Sequence, residues 1–419
     1  MKLSSSITPA RKKQTRKRNT GIARICFFTL ILAAAGFSAL SFKSLKSFGQ
    51  SHAADDVNVH RAPLQTSPQQ YEGMIKEMNN EFHNSGSHRG SHPSEIHPVN
   101  CNGMLKDSTI WNPNKAYTRE ATKRWTNTNP PFWISLHAEW FDNMRWASIM
   151  NKGEYYETGV TSLFHQILST YPLSSSSSRP LVLDIGMNIG WFSLYSRAHG
   201  HEVAAFEPNP VMFLRICESL EHNKWNSYGD PEANNQNNNG PAVSLWQYGL
   251  GAQPGVFNLT MGKNPGGSSF YPDRLAKKFR KTMEVQVTTL DAVAIQEGWL
   301  NRQISLMKVD VEGFEPFVFR GGKRLLNEGM VENLFMENSV NNLTEVGEMV
   351  DLIYGAGFRL KGIYTVNGDP YHEDWWPTFN PTLEERHGSR ENRNESDQMK
   401  FIAKVTCNIW WINTKFREV

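Results

Sequence analysis

The chain has 419 residues, with 44 Lys and Arg against 41 Asp and Glu and a formal net charge of +3. Eight of the basic side chains (Lys2, Arg11, Lys12, Lys13, Arg16, Lys17, Arg18 and Arg24) fall in the first 24 residues, which hold no acid, so the remainder carries −5. A mildly acidic body offers no general basic surface for nucleic acid, and a length that admits two or three domains is offset by an N-terminal quarter too polar to fold alone.

Ile25 to Phe42 is an uncharged run of 18 residues. As a helix it would be about 27 Å long, near the thickness of a thin secretory bilayer. The heavier positive flank lies on its N-terminal side, which predicts a type II signal anchor: residues 1–24 a cytosolic tail, 25–42 a transmembrane helix, and the rest in the lumen of the Golgi or ER. A cleaved signal peptide or a transit peptide is the competing reading, because the tail is rich in Ser and Arg and free of acid. The long basic region and the lack of a small-x-small site favour the anchor.

Residues 43–100 are polar, rich in Ser, His, Gln and Asn, and predict a disordered stem with one short helix around Tyr71–Phe82. His83, His88, His92 and His97 recur within it, read as a solvated linker rather than a metal site. Residues 101–177 gather Trp111, Trp125, Trp133, Trp140, Trp146, Tyr155 and Tyr156, and predict a mostly helical cap over one end of a sheet, with a helix at Gly159–Leu168. The four cysteines are Cys26, Cys101, Cys217 and Cys407. Cys101 and Cys407 are a candidate bridge in an oxidising lumen, with free buried thiols as the alternative. Sequons at Asn258, Asn342 and Asn394 are compatible with lumenal exposure.

From residue 178 to 419 the pattern alternates. Strands are predicted at Leu181–Asp184, Glu202–Phe206, Val243–Gln247, Ser305–Val309 and Leu334–Met336. Helices are predicted at Trp191–Ala198, Val211–Asn223, Pro316–Leu326 and Glu345–Tyr354, the last capped by Thr344. Such alternation implies a parallel α/β sheet covered by helices on both faces. An Asn-rich stretch at 228–240 reads as a loop insertion, and a second long connection spans 365–400, carrying Trp375 and Trp376.

Asp184-Ile-Gly-Met-Asn-Ile-Gly190 ends the first of these strands, and Glu207 follows 17 positions later at the end of the second. The order strand, glycine loop, helix, strand, acid belongs to a nucleotide-binding half. A dinucleotide site aims backbone N–H groups at a pyrophosphate, which Asp184 would oppose. S-adenosylmethionine has no phosphate and carries an ammonium and a sulfonium, so the same acid suits it. Asp184, Gly186, Asn188, Gly190 and Glu207 are therefore the candidate cofactor residues: Asp184 for the ammonium, the glycines for close backbone approach with Asn188 shaping the turn, and Glu207 for the ribose hydroxyls.

A second block contains Val287-Thr-Thr-Leu-Asp291, Leu306-Met-Lys-Val-Asp-Val-Glu-Gly-Phe-Glu315, Phe319-Arg-Gly-Gly322 and Leu334-Phe-Met-Glu337. Together with Asp-Ile-Gly-Met-Asn-Ile-Gly and Phe206-Glu-Pro-Asn-Pro210, this ordered set resembles the FkbM family of S-adenosylmethionine-dependent methyltransferases over roughly Tyr155 to Val366, returning near Phe401–Ile412. The resemblance implies a Rossmann-like class I methyltransferase sheet with closing strands Phe358–Tyr364 and Phe401–Ile412, the last antiparallel. It also implies O-methylation of a hydroxyl, and a lumenal anchor then favours a glycan or glycolipid acceptor.

Lys308, Asp310 and Glu312 are spaced to share one face of an extended segment. One reading makes Asp310 or Glu312 the base for the acceptor proton with Lys308 holding it; another makes the three a salt-bridge cluster between strand and helix. A cation between Asp310, Glu312 and Glu337 is a third use of these groups, and no metal ligand is assigned. Asn129-Pro-Pro-Phe132 matches the tetrapeptide of nucleic-acid amino-methyltransferases, but the polar segment before it argues against that chemistry. A catalytically silent lumenal binding protein and a small-molecule O-methyltransferase outside the secretory pathway are the remaining alternatives.

Overall fold

The structure, a computed structural model, describes residues 96–106, 122–137, 149, 156–171, 179–225, 242–261, 265–271, 281–340, 342–371, 402 and 405–416. The predicted signal anchor, nearly all of the predicted stem, the Asn-rich stretch and the pair Trp375 and Trp376 lie outside them. Among the described residues no helix is long and apolar enough to cross a membrane.

The first third of the described chain holds α1 (Cys101–Lys106), β1 (Thr122–Trp125), β2 (Trp133–Leu136) and α2 (Thr158–Leu168). Next come β3 (Leu181–Ile185), α3 (Trp191–Ala198), β4 (Glu202–Phe206), α4 (Pro210–Asn223), β5 (Val243–Trp246), β6 (Gly249–Leu250), β7 (Gly255–Met261) and β8 (Lys281–Thr288). The remainder is α5 (Leu290–Gln296), β9 (Gln303–Val309), α6 (Glu315–Gly321), α7 (Lys323–Glu328), β10 (Met330–Val331), β11 (Asn333–Asn338), α8 (Leu343–Gly355), β12 (Phe358–Tyr364) and β13 (Cys407–Asn413).

The main sheet runs in the order β12-β13-β11-β9-β3-β4-β5, with β10 also paired to β9. All its strands are parallel except β13, which lies antiparallel between β11 and β12. β3 is buried at every position, as expected of a central strand covered on both faces. The two faces carry separate apolar clusters, one including Leu183, Met307 and Val318, the other Val182, Leu194 and Phe213. The Rossmann-like α/β reading is thus what the chain forms, with the antiparallel strand in the expected place.

Helix ends follow local chemistry. The Asn209 side chain accepts from Val211 N at 3.0 Å just before Pro210 at the first turn of α4, a position that suits proline. The cap of α8 is Asn342 rather than Thr344: its Oδ1 accepts from Thr344 N at 3.0 Å and Glu345 N at 3.4 Å. The predicted helix Pro316–Leu326 breaks into α6 and α7 at Gly322. A Cβ on Gly321 would sit 2.0 Å from the Gly251 carbonyl oxygen, and one on Gly322 2.8 Å from Leu290, so close packing of neighbouring backbone interrupts the helix. The last strand begins at Cys407, later than expected.

Three further corrections come from tertiary contacts. The described part of the cap contains a hairpin, β1–β2, rather than helix alone. Ser219 Oγ accepts from Ser135 N at 2.8 Å, and Asn223 bonds both the N–H and the carbonyl of Trp133, so α4 satisfies the backbone of β2. The end of the predicted stem packs on the sheet edge, where Val99 N donates to Leu245 O at 2.7 Å. Cys101 pairs with Cys217, not Cys407: α1 lies on α4 with Cα atoms 5.1 Å apart, whereas Cys407 is buried as a free thiol on β13.

A second sheet, β6-β8-β7, went unpredicted. Its signal was present in Met283-Glu-Val-Gln-Val, where Val285 and Val287 are buried and Glu284 and Gln286 exposed. It walls one side of the cavity described next.

Candidate active site

The loop from β3 to α3 turns through Gly186, Asn188 and Gly190 with φ of 80°, 56° and 88°. The glycines are required for different reasons. A Cβ on Gly186 would lie 1.7 Å from the Asp310 carbonyl oxygen, so this residue lets the first loop touch the second acidic block. A Cβ on Gly190 would strike Ile216 of α4 at 2.5 Å. Asn188 Oδ1 accepts from Ile189 N at 2.9 Å, and its Nδ2 donates to Gly266 O at 3.0 Å, tying the loop to the segment after β7.

Glu207 at the end of β4 is nearly buried, and each carboxylate oxygen accepts one backbone N–H: Asn188 N at 3.0 Å and Asn209 N at 2.9 Å. Burial pushes its proton affinity up to about 7 against the pull of those two donors. Each oxygen keeps a further acceptor position toward the cavity.

Asp184 lies below the cavity and is not one of its lining residues. It is fully buried, accepts from Ser193 Oγ at 2.6 Å, and sits 3.6 Å from Lys308 Nζ on the adjacent strand, where the two residues are register partners. Burial raises its carboxyl above the usual range although Lys308 and Ser193 oppose this. Lys308 Nζ also meets Asp310 at 3.1 Å and the Gly186 carbonyl at 3.3 Å. Burial alone would lower the Lys308 ammonium, but Asp310, Asp184 and Glu157 outweigh it and hold it above its ordinary value. The lysine is thus the link between the buried acid and the cavity.

The expected alternation of Lys308, Asp310 and Glu312 along one extended segment does not hold. β9 ends at Val309, and Glu312 and Gly313 turn with φ of 54° and 99° before α6. Glu315 ties this turn, accepting from Val311 N at 3.2 Å and Gly313 N at 3.0 Å. The turn nevertheless brings Glu312 back, so that carboxylate oxygens of Asp310, Glu312 and Glu337 lie within 4.8 Å of one another. That spacing admits a hard divalent cation, but three carboxylates alone complete no coordination shell, and no His or Cys joins them among the described residues.

These groups line one cavity of about 340 Å³, within the range of small-ligand sites. Gly186, Asn188 and Glu207 lie on one side; Lys308, Asp310, Glu312 and Glu337 on the other. Apolar walls come from Tyr156, Trp191, Phe192, Phe206, Tyr248 and Phe270. Tyr156, Glu157, Tyr248 and the 266–270 segment were not foreseen as site residues, because only the fold brings the start of α2 and the second sheet over the loop. Asn129-Pro-Pro-Phe132 forms the turn of the β1–β2 hairpin, outside the main sheet, and Phe132 is fully buried against Trp191.

Residues 184–360 match the methyltransferase FkbM domain. Methyltransferase sdnD of Sordaria araneosa is 27% identical over 179 residues, covering 36% of this chain and 63% of that protein. Methyltransferase 1 of Beauveria bassiana is 28% identical over 169 residues, covering 36% of this chain and 61% of that protein. The chain thus spans under two thirds of the length of these relatives. A solved S-adenosylmethionine-dependent methyltransferase from Agrobacterium tumefaciens aligns over 71% of each chain with 8% identity and a TM-score of 0.33.

Proposed function

We propose that this protein is an S-adenosylmethionine-dependent O-methyltransferase acting on a hydroxyl of a glycan or glycolipid. The observation that carries the reading is one cavity shared by a left-handed glycine loop, the doubly bonded Glu207 carboxylate and a group of acids beyond Lys308. S-adenosylmethionine, when bound, supplies the methyl group on a sulfonium that leaves as a neutral thioether. Glu207 binds a vicinal diol through the acceptor positions its backbone donors leave free. Glu157, Glu207, Asp310, Glu312 and Glu337 line the cavity against a single lysine that is already paired, a field that attracts a cationic donor and repels a diphosphate. The aromatic walls exclude water, and an acid at the far end takes the acceptor's proton.

Calorimetry on the full-length chain tests the donor half. S-adenosylmethionine is expected to bind, and Glu207→Ala to weaken it at least tenfold. Tritiated methyl transfer to glycan and glycolipid pools tests the acceptor half. Binding without transfer to either pool would overturn the acceptor, and absence of binding would overturn the enzyme.

The proposal includes a membrane-anchored, lumenal location in the Golgi or ER. It is supported by the basic tail and apolar run, by the exposed Asn258 on β7, and by the buried Cys101–Cys217 bridge, which persists in oxidising compartments. Glycosidase treatment is expected to shift the protein's mobility, by less in Asn258→Gln; a glycosidase-insensitive chain fractionating with cytosol would reject the location.

A further inference from the structure

We propose that Glu337 is the proton-exchanging carboxylate of the cavity: it holds a proton in the resting site, gives it up as the cationic donor binds, and then takes the proton of the acceptor hydroxyl. This rests on the donor reading above. It replaces Asp310 and Glu312 as the base.

Position comes first. The glycine loop and Glu207 sit at the ends of β3 and β4, whereas Glu337 is the penultimate residue of β11, two strands from β3 on the side away from β4. Phe335 and Met336 are register partners of Lys308 and Val309, so Glu337 follows as the neighbour of Asp310. An acceptor approaching a donor seated over β3 and β4 comes from this side.

Occupation of the other acids comes second. Asp310 is engaged by Lys308 at 3.1 Å. Glu315 is engaged by two backbone N–H groups. Glu312 is fixed through its backbone, where the Ser269 hydroxyl donates to its carbonyl at 3.0 Å, and its carboxylate is the alternative that the test below separates. Glu337 lines the cavity and takes no hydrogen bond or ion pair from any described residue.

The groups that face it come from every neighbouring element. Asp310 and Lys308 stand on the β9 side, Glu312 and Glu315 on the turn into α6, Glu157 before α2, and Cys407 on β13. Only Lys308 is cationic, and Asp184 and Asp310 share it. Three carboxylates within 4.8 Å repel one another when charged. Burial, followed by Asp310, Glu312, Glu315 and Glu157, holds the Glu337 carboxyl well above the ordinary range. A cation entering the cavity offsets that repulsion and releases the proton. In the transfer itself the acceptor oxygen forms a bond to the methyl carbon as the carbon–sulfur bond breaks. The pair from that bond stays on sulfur, and the hydroxyl proton moves to Glu337.

The test is calorimetry on the full-length chain at pH 7 in two buffers of different ionisation enthalpy, with S-adenosylmethionine and with S-adenosylhomocysteine. The two share ribose, ammonium and carboxylate, so protons moved by Glu207 cancel in the difference and only the sulfonium charge remains. Wild type is expected to release more protons with S-adenosylmethionine. Glu337→Gln is expected to bind it within tenfold of wild type with that excess abolished, while Glu312→Gln retains it. An excess unchanged in Glu337→Gln, or lost only in Glu312→Gln, overturns the assignment. So does a requirement for added Mg²⁺ before any excess is seen. Absence of binding by either ligand would instead sink the donor reading, a result distinct from binding without proton release.

Discussion

The two ends of the cavity are built on opposite principles. At the donor end every polar group has a partner: Glu207 takes two backbone N–H groups, Asn188 bonds on both sides, and Asp184 has Ser193 and Lys308. At the acceptor end Asp310, Glu312 and Glu337 crowd together around a lysine that is already shared. The first arrangement favours rigidity and a fixed ligand pose. The second stores repulsion that only an incoming cation or a proton relieves. On the proposed reading, a site that grips one molecule and deprotonates another has reason to be uneven in this way.

Substitutions can break or sharpen that contrast. The largest effect is expected from Lys308→Met, which strands Asp184 as a buried, uncompensated acid; a loss of roughly 3–5 kcal/mol follows, measured by denaturant unfolding. A Lys308→Met loss under 1 kcal/mol would show the two ends to be independent. Next is Gly186→Ala. The added methyl meets the Asp310 carbonyl and the residue must hold a positive φ, so the two loops separate at a cost of about 3 kcal/mol. A thermal melt reads the fold and calorimetry the donor.

Glu207→Gln follows. Losing the charge on a hydrogen-bonding carboxylate is expected to weaken donor binding by about 2 kcal/mol, roughly thirtyfold. It also has a pH signature. Glu207 binds its proton more tightly folded, near 7, than unfolded, near 4.5, so its contribution is full below about pH 4.5 and is lost as pH rises through 7. The ligand-free protein should therefore lose stability over that window, and Glu207→Gln should flatten the slope.

The smallest effect has the opposite sign. Glu337→Gln removes one charge from the crowded end, and at pH 8 the ligand-free variant should be about 1 kcal/mol more stable than wild type. The same sign argument applies, because a raised acid loses its stabilising proton as pH rises. Destabilisation of Glu337→Gln at pH 8 would mean that this carboxylate is a structural partner, and the asymmetry of the cavity would disappear.

Much of this was legible beforehand because it rests on local patterns. Leu181-Val-Leu and Glu202–Phe206 read as strands from their apolar runs, and Gly186, Asn188, Gly190 and Glu207 follow from loop chemistry that needs no partner. Lys308 with Asp310 was visible as a charged pair on a buried strand. Glu312 was expected on an extended continuation of that strand, whereas it turns with a positive φ, because period-two spacing carries no information about where the chain bends. Cys101 was offered to Cys407 because spacing cannot say that α1 lies on α4 while β13 closes the middle of the sheet.

Side-chain periodicity, turn residues and short-range caps are properties of a few consecutive residues, and for that reason the chain's α/β class, its glycine loop and the acid at the end of β4 were readable from one dimension. The meeting of Glu337 with Asp310 and Glu312, the pairing of Asp184 with Lys308, and the wall supplied by β7 depend on contacts between residues far apart in sequence. Strand order and the close approach of Gly186 to Asp310 decide those, because charge repulsion and burial act through space and not along the chain.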